Sequence, residues 1–475
     1  LSIRRQRQMC IRDRRKSIEE TMKELDLTQG SVPKVLLQFA VPFLIANVLQ
    51  ALYGGADLFV VGQYDDSASV AAVAIGSQVM QTITGIILGI TTGTTVLIAI
   101  ATGAKDNRKV AFTIGSSVWL FSITGVVLTL VMVLFHSRIA ELMHTPVEAM
   151  VDTKNYILVC SLGILFIVGY NVVCGILRGL GDSKTPLYFV GLACVINIVL
   201  DFILVGYFHW GAAGAAIATV SAQGVSFGIA LWFLYRHGFH FDFSRKDIRL
   251  NRNLSKKILV LGAPIALQDA LINVSFLIIT VIVNQMGVIA SASLGVVEKI
   301  IVFAMLPPMA ISSAVATMTA QNYGAGLIKR MNKCLASGIG IALVFGVSVC
   351  VYSQFLPETL TAFFTKDAAV VAMAADYLRG YSIDCIVVSF VFCINSYFSG
   401  QGNSLFPMIH SLIATFLFRI PLSYWFSQID SSSLFIMGFA PPISTVVSLL
   451  ICIWYLRYTQ RKLYLRGTMM PAMSN

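Results

Sequence analysis

The chain carries little charge for its length of 475 residues. Only 12% of its residues are Asp, Glu, Lys or Arg, whereas an ordinary soluble domain has about 25%. Hydrophobic residues make up 57% of the sequence, and the mean hydropathy is +0.79. This composition excludes an ordinary soluble domain and indicates a membrane protein with many spans.

The sequence also lacks the usual signatures of disulfides and enzymes. Its nine cysteines form no C-x-x-C and mostly lie in or beside apolar segments, so we interpret them as small apolar packing residues. The six histidines lie mostly in loops, and neither H-E-x-x-H nor G-x-S-x-G occurs. An integral-membrane enzyme acting on lipids would need such a constellation, so we expect no enzyme and no cofactor.

Long apolar segments recur along almost the whole chain. A membrane-spanning helix needs roughly 20 apolar residues. The sequence therefore predicts an all-α integral membrane protein with twelve transmembrane helices, at about 33–62, 67–101, 109–135, 153–177, 185–207, 211–236, 256–286, 288–322, 333–355, 370–398, 405–427 and 434–457.

The distribution of Lys and Arg predicts the orientation. If the amino terminus is cytoplasmic, 28 of the 34 basic residues lie in the termini and inner loops, and 4 lie in the outer loops. The positive-inside rule then places both termini in the cytoplasm, in a multi-pass protein of the cytoplasmic (inner) membrane. The net charge of +11 is explained by a basic surface that faces anionic membrane lipid, with no nucleic-acid partner.

Two halves of the chain repeat one pattern. Pro42 recurs as Pro264, 222 positions later, and the tract 178–183 recurs as 399–404, at an offset of 221. Six spans per half give both halves the same orientation, so we expect two lobes related by a pseudo-two-fold axis along the membrane normal. Such duplication is typical of secondary transporters, with the ligand path between the halves.

The resulting domain prediction has five parts. They are a cytoplasmic, disordered segment at 1–32, a six-helix lobe at 33–236, a basic linker at 237–255, a second six-helix lobe at 256–458 and a cytoplasmic tail at 459–475. Leu1 to Lys16 is Arg-rich without an apolar core, so it is not a signal peptide. We expect the chain up to about Met22 to be dispensable, and Met22-Lys23-Glu24 resembles a more natural start.

Polar residues inside the first-half spans form a candidate cation site. Asp57 and Asp201 each lie about two turns below the outer edge of the membrane, and Asn197 precedes Asp201 by four residues on the same helix face. Thr219 lies at a similar depth in the sixth span. Oxygen ligands suit H⁺ or a small hard cation such as Na⁺. Alternatively, Asn197 and Asp201 satisfy each other, and Asp57 faces water.

A second polar set lies near the middle of the second-half spans. Its members are Asp269, Asn273, Glu298, Lys299, Asp384 and Arg419. Either these side chains bind substrate or take part in coupling, or they neutralise one another in a salt-bridge network. With three acids and two bases, one acid is left over, and a net negative cavity would favour cationic amphiphiles.

Several motifs together resemble the multidrug and toxin extrusion (MATE) family over about Leu27 to Arg461. They are Pro42 with Ala56-Asp57-Leu58-Phe59-Val60-Val61-Gly62, Leu177 to Pro186, Asn197-x-x-x-Asp201 followed by Gly211 to Thr219, and Gln321-Asn322-Tyr323-Gly324-Ala325. The resemblance implies two six-helix lobes arranged as a V, and efflux of drugs driven by inward flow of H⁺ or Na⁺.

The resemblance also implies roles for individual residues. Positions matching Asp57, Asn197, Asp201 and Thr219 form the cation or proton site in related proteins, and the proline matching Pro42 takes part in bending the first helix. The predicted function is a monomeric antiporter that exports organic, often cationic, amphiphilic small molecules. The alternatives are a lipid-linked oligosaccharide flippase, which tends to carry more cations in its cavity, and a lipid-modifying membrane enzyme.

Overall fold

The computed structural model describes residues 25–429 and 433–468, and these residues form helices joined by turns and loops. The predicted disorder of the chain before Met22 lies outside the described residues. Helices are the expected response to the sequence, because a helix satisfies every backbone polar group within one apolar segment.

The helices of the first half occupy the predicted apolar segments. They are α1 (Val32–Tyr64), α2 (Ser67–Gly103), α3 (Asn107–Leu142), α4 (Met150–Leu162), α5 (Ile164–Leu180), α6 (Lys184–Asp201), which continues as a π-helix (Phe202–Tyr207), and α7 (Gly211–His237). A short 3-10 turn (Arg245–Asp247) follows in the linker.

The helices of the second half follow the same order. They are α8 (Arg252–Asn284), α9 (Val288–Gly324), α10 (Ile328–Phe355), α11 (Pro357–Thr361), α12 (Ala368–Gly400), α13 (Leu405–Ile413), a π-helix (Ala414–Arg419), α14 (Ile420–Ile429), a 3-10 turn (Met437–Phe439) and α15 (Ala440–Thr468).

The predicted twelve spans are confirmed when one broken helix counts as a single span. In the described residues, eleven continuous helical stretches are long and apolar enough to cross a membrane. The pair α4 and α5, bent by 49° at Gly163, supplies the twelfth. The protein is therefore a multi-pass, all-α membrane protein.

The repeated tracts at 178–183 and 399–404, which contain Gly-Asp-Ser and Gly-Asn-Ser, form turns between helices. Gly181 ends α5 in the left-handed region, with φ of +103°, which glycine adopts without a steric penalty. Asp182 Oδ1 then accepts hydrogen bonds from the backbone N–H groups of Lys184 and Thr185, at 2.9 and 3.0 Å. The equivalent Asn403 Oδ1 accepts from the N–H of Phe406 at 3.4 Å. Each tract thus ends one helix and caps the next.

The chain forms two compact units whose borders lie within α8, α9 and α10. The first unit holds residues 1–266 and 320–330, and the second holds residues 267–319 and 331–475. The first unit therefore includes the opening part of α8 and the last turn of α9, which belong to the second half of the sequence. The predicted lobe borders at 236 and 256 differ from this division and stay a prediction.

Glycines of α2 let the opening part of α8 pack closely within the first unit. A Cβ at Gly89 would lie 2.5 Å from the backbone of Ala266, and a Cβ at Gly93 would lie 2.5 Å from the carbonyl oxygen of Ile258. Gly85 has nothing within 4 Å of such a Cβ. Close packing on α8 therefore explains Gly89 and Gly93 but not Gly85.

The tract that closes α9 binds the chain ahead of α1. Asn322 Nδ2 donates to the carbonyl oxygen of Leu27 at 3.1 Å, and Gln321 Nε2 donates to that of Gly179 at 3.1 Å. The Arg330 guanidinium donates to the carbonyl oxygens of Leu27, Gln29 and Gly30. These bonds join three segments at one end of the first unit.

Candidate functional site

The first-half polar residues meet inside the first unit, on three helices. Asp57 is on α1, Asn197 and Asp201 are on α6, and Thr219 is on α7. The side chains of Asp57, Asn197 and Asp201 are buried, with 3%, 1% and 0% exposure. Asp201 is the last residue of α6 before the π-helix, and π-helical turns often occur at functional sites.

Hydrogen bonds connect the members of this set. Thr219 Oγ1 donates to Asp57 Oδ2 at 3.1 Å, and Asn197 Nδ2 donates to Thr219 Oγ1 at 3.4 Å. The carboxyl groups of Asp57 and Asp201 lie close enough to interact electrostatically. The four side chains thus converge as their depths and spacing predict, and the alternative in which Asp57 faces water does not occur.

The site holds more buried acceptors than donors. Asp57 Oδ1, both carboxyl oxygens of Asp201 and Asn197 Oδ1 are buried without a hydrogen-bond partner. An unsatisfied buried acceptor costs free energy, and a buried carboxylate costs more. A proton shared by the carboxyl groups, or a small cation among the oxygens, would satisfy these atoms.

Sequence reasoning did not identify two further polar residues beside this site. Gln223 Nε2 lies 3.5 Å from the hydroxyl oxygen of Tyr53. Each of these residues is one helical turn from a site residue, since Tyr53 precedes Asp57 by four positions and Gln223 follows Thr219 by four. This i, i+4 spacing could have identified them, because it places Tyr53 on the same face of α1 as Asp57 and Gln223 on the same face of α7 as Thr219.

The second-half polar set lies in the second unit and is not a network of direct ion pairs. None of the ion pairs within 4.0 Å among residues 25–429 and 433–468 joins two of its members. Arg419 instead lies over the ring of Phe276, 4.4 Å from its centroid. Asp384 is buried, Glu298 and Arg419 are partly exposed, and Asp269, Asn273 and Lys299 are exposed.

Electrostatic interactions nevertheless link three members of the second set. Arg419 interacts at longer range with both Glu298 and Asp384. Hydroxyl groups of Thr280 and Thr445 approach Glu298 and Asp384, respectively. The set therefore keeps accessible charge in the second unit, as a binding surface for a polar or charged molecule requires.

Comparison with known families identifies the chain. The MatE family model matches twice, at residues 42–203 and 264–425, so the same family pattern recurs at an offset of 222 residues. The two matches begin at Pro42 and Pro264 and cover more than half of the chain. The chain belongs to the MatE family. It is thus a membrane transporter, not an enzyme, and the predicted family and sequence repeat are confirmed.

Two relatives of this MatE protein are named as probable multidrug resistance proteins. The chain is 29% identical over 407 residues to the probable multidrug resistance protein YpnP of Bacillus subtilis, covering 86% of this chain and 91% of that protein. It is 27% identical over 412 residues to the probable multidrug resistance protein NorM of Thermotoga maritima, covering 84% and 87%.

Solved structures share the MatE fold. A transporter described as an outward-facing conformation of a multidrug resistance MATE family transporter of the MOP superfamily superposes with a TM-score of 0.87. The match has 23% sequence identity and covers 93% of this chain and 99% of that chain. The predicted MATE-like helical fold is therefore confirmed.

Proposed function

We propose that this transporter exports organic, often cationic, amphiphilic compounds in exchange for H⁺ or Na⁺. The coupling ion binds at Asp57, Asn197, Asp201 and Thr219. The observation that carries this proposal is the excess of buried acceptors, because four oxygen atoms of three of these side chains have no hydrogen-bond donor.

The chemistry of these residues accommodates either ion. Two adjoining carboxylates in a low-dielectric site repel each other, which favours the binding of one proton. Carboxylate, carboxamide and hydroxyl oxygens are also the ligands that alkali cations prefer. A bound cation would remove the unfavourable interaction between Asp57 and Asp201, so ion binding and helix packing are linked.

Exchange requires that the ion and the drug weaken each other's binding, and such coupling is reciprocal. Neutralising Asp57 changes the contacts of α1, the helix that carries Pro42. Pro42 has no N–H to donate to the preceding turn, which lowers the cost of bending α1 there. We propose that the ion favours a bend at Pro42 that disfavours bound drug.

The second-half set is the proposed contact for substrate or for further coupling. Asp269, Asn273 and Lys299 are exposed, so a drug or its cationic group can reach them. The competing function, a lipid-linked oligosaccharide flippase, tends to use several cations in its cavity. Here the second-half set contains two basic residues, Lys299 and Arg419, and three acids, which favours the export of cationic compounds.

The proposed setting is the cytoplasmic membrane, with both termini inside and the protein acting as a monomer. Basic residues cluster where α2 meets α3, α7 meets α8 and α9 meets α10, at residues 105–109, 236–257 and 329–333. The positive-inside rule places these loops in the cytoplasm. Labelling of single cysteines by an impermeant thiol reagent would test this orientation, since residue 329 should be protected in intact cells and residue 366 should react.

Efflux under separately imposed gradients tests the proposed exchange. Vesicles loaded with ethidium receive an inward gradient of protons alone, of Na⁺ alone, or of neither ion. At least one gradient should accelerate ethidium release, and collapse of that gradient should abolish the acceleration. Equal release with and without each gradient would contradict ion exchange.

A further inference from the structure

A cavity lies in the first unit, near the end where α3 begins and α5 and α7 end. Its volume is about 930 Å³, and α3, α5, α7 and the segment 238–248 line it. Its wall is largely apolar, with side chains such as Val118, Phe121, Val172, Phe227 and Leu231. On α5 the lining runs from Leu165 to Ile176, which corresponds to a length of about 16 Å at the helical rise.

The cavity opens on the outer face of these helices. Leu165, Phe166 and Leu231 at its rim are 42%, 43% and 46% exposed. These residues lie within membrane-spanning segments. An apolar chain could therefore enter the cavity from the bilayer without crossing water.

Three phenylalanines of the linker close one end of this cavity. The rings of Phe239 and Phe241 stack with centroids 5.2 Å apart, and Phe243 meets Phe239 edge-on at 5.3 Å. All three pack against the main core of the first unit. The linker is therefore an integral part of this unit's packing.

The linker is also fixed to α3 by close backbone contact. Trp119 Nε1 donates to the carbonyl oxygen of Ile248 at 3.1 Å. A Cβ at Gly115 would lie 1.9 Å from the carbonyl oxygen of Asp247, so this approach requires glycine. The segment thus forms a defined wall.

A polar cavity of about 530 Å³ adjoins the apolar one and shares Phe241, Asp242 and Asp247 with it. Arg108, Lys246 and Arg249 also line it. Of the two acids, Asp247 accepts a hydrogen bond from the N–H of Ser244 at 2.8 Å, and Asp242 is exposed.

Two of the basic side chains are organised around one aromatic ring. The guanidinium carbons of Arg108 and Arg249 lie 5.6 and 5.1 Å from the centroid of Phe112. Within residues 25–429 and 433–468, neither guanidinium forms an ion pair or a hydrogen bond with a side chain, so their N–H groups can donate to an added anion. Guanidinium groups suit phosphate oxygens in geometry and charge.

We propose that the two cavities together bind one anionic glycerophospholipid. An acyl chain occupies the apolar cavity, and the phosphate lies at Arg108, Lys246 and Arg249. The charge complementarity favours an anionic headgroup over a zwitterionic one, and it disfavours a cationic drug. With the proposed orientation, the site faces the cytoplasmic leaflet, whose anionic lipids attract basic segments.

Lipid titration of the purified full-length protein tests this site. Thermal unfolding in a neutral detergent is followed with added dioleoyl phosphatidylglycerol, dioleoyl phosphatidylcholine or glycerol 3-phosphate, because a ligand that binds the folded state raises its stability. The wild type should bind the phosphatidylglycerol more tightly than the phosphatidylcholine. Glycerol 3-phosphate, which has no acyl chain, should produce no shift.

Variants assign the preference to the proposed residues. The double variant Arg108→Gln/Arg249→Gln should bind phosphatidylglycerol about fivefold more weakly for each lost charge, with phosphatidylcholine unaffected. Val118→Trp should weaken both lipids by filling the apolar cavity. Lys329→Gln, a control at an exposed lysine of another basic loop, should match the wild type.

Three results would overturn the proposal. They are a wild type without preference for the anionic lipid, a preference that survives in the double variant, and an equal loss in Lys329→Gln. Arg108 and Arg249 lie outside the hydrophobic core, so their substitution should leave the protein folded. The double variant therefore tests the proposal even if Val118→Trp fails to fold. The assay measures no transport, so its outcome is independent of the proposed antiport.

Discussion

At the scale of single residues, the site depends on a mismatch between buried acceptors and donors. Asp201 is fully buried, and neither of its carboxyl oxygens has a hydrogen-bond partner. Asp57 receives one bond, from the Thr219 hydroxyl. A protein keeps such an arrangement in a membrane at a cost of at least a few kcal/mol, roughly the cost of one charged side chain at mid-membrane. The proposed ion would satisfy these acceptors and so offset that cost.

Thr219→Val separates the roles of proton and Na⁺. The substitution removes one oxygen ligand but no group that ionises, so Na⁺-driven efflux should fall more than proton-driven efflux. Initial rates of ethidium efflux at graded Na⁺ concentrations and at graded proton gradients measure the difference.

Thr92→Val is the matched control for this substitution. The Thr92 hydroxyl donates to the carbonyl oxygen of Leu88 in its own helix, at 2.9 Å, and takes no part in the site. This variant should keep the ion dependence of the wild type. An equal effect of both substitutions would mean that Thr219 does not bind the ion.

At the scale of helices, backbone proximity explains residues that composition alone does not. Helices that are apolar all round give little information about which face packs on protein and which meets lipid. In α2, Gly89 contacts the backbone of Ala266, whereas Gly85 meets open space. The two glycines are four residues apart in the sequence, so they lie on the same face of α2. Only the three-dimensional packing distinguishes them.

Gly89→Ala should therefore destabilise the protein, and Gly85→Ala should not. The added methyl group at residue 89 would overlap the backbone of α8, and overpacking of this kind costs about 1–3 kcal/mol. Thermal unfolding in detergent should show a lower midpoint for Gly89→Ala alone. Equal midpoints for the two variants would contradict the proximity of α2 and α8.

The contacts of Arg330 predict how the segment ahead of α1 is held in place. Its guanidinium donates to three carbonyl oxygens of the segment ahead of α1. Arg330→Ala should release that segment. Hydrogen exchange of the first hydrogen-bonded amides of α1, from Val35 onward, should accelerate about tenfold, as expected when about one bond to a charged donor is lost. Lys333→Ala, at an exposed neighbour, should leave the exchange unchanged.

At the scale of the whole chain, much of the architecture follows from the sequence. The apolar segments predict all twelve spans within a few residues, because lipid permits few alternatives to a helix. The tracts 178–183 and 399–404 predict their turns, since a left-handed glycine and a capping Asp or Asn act locally. Local chemistry and hydropathy suffice for these features.

Other features depend on tertiary packing and could not be predicted in this way. Hydropathy does not indicate the π-helices Phe202–Tyr207 and Ala414–Arg419. The presence of Gly163 alone does not predict the 49° bend between α4 and α5. Asp57 and Asp201 were predictable because charge is scarce in the spans. Asn197 followed from its position four residues before Asp201, and Thr219 followed from its depth in the sixth span. Polarity alone does not identify Tyr53 and Gln223 as neighbours of the site, because neutral polar residues are common in these helices.

Gradient-driven efflux by carboxamide variants tests the central proposal most directly. Asp57→Asn and Asp201→Asn keep the shape of each side chain but cannot ionise, and Asp106→Asn, at the amino-terminal cap of α3, is the control. In proteoliposomes that contain equal amounts of folded protein, both site variants should lose acceleration of ethidium efflux by the driving ion gradient, while the control retains it. Wild-type acceleration in both site variants would contradict the account.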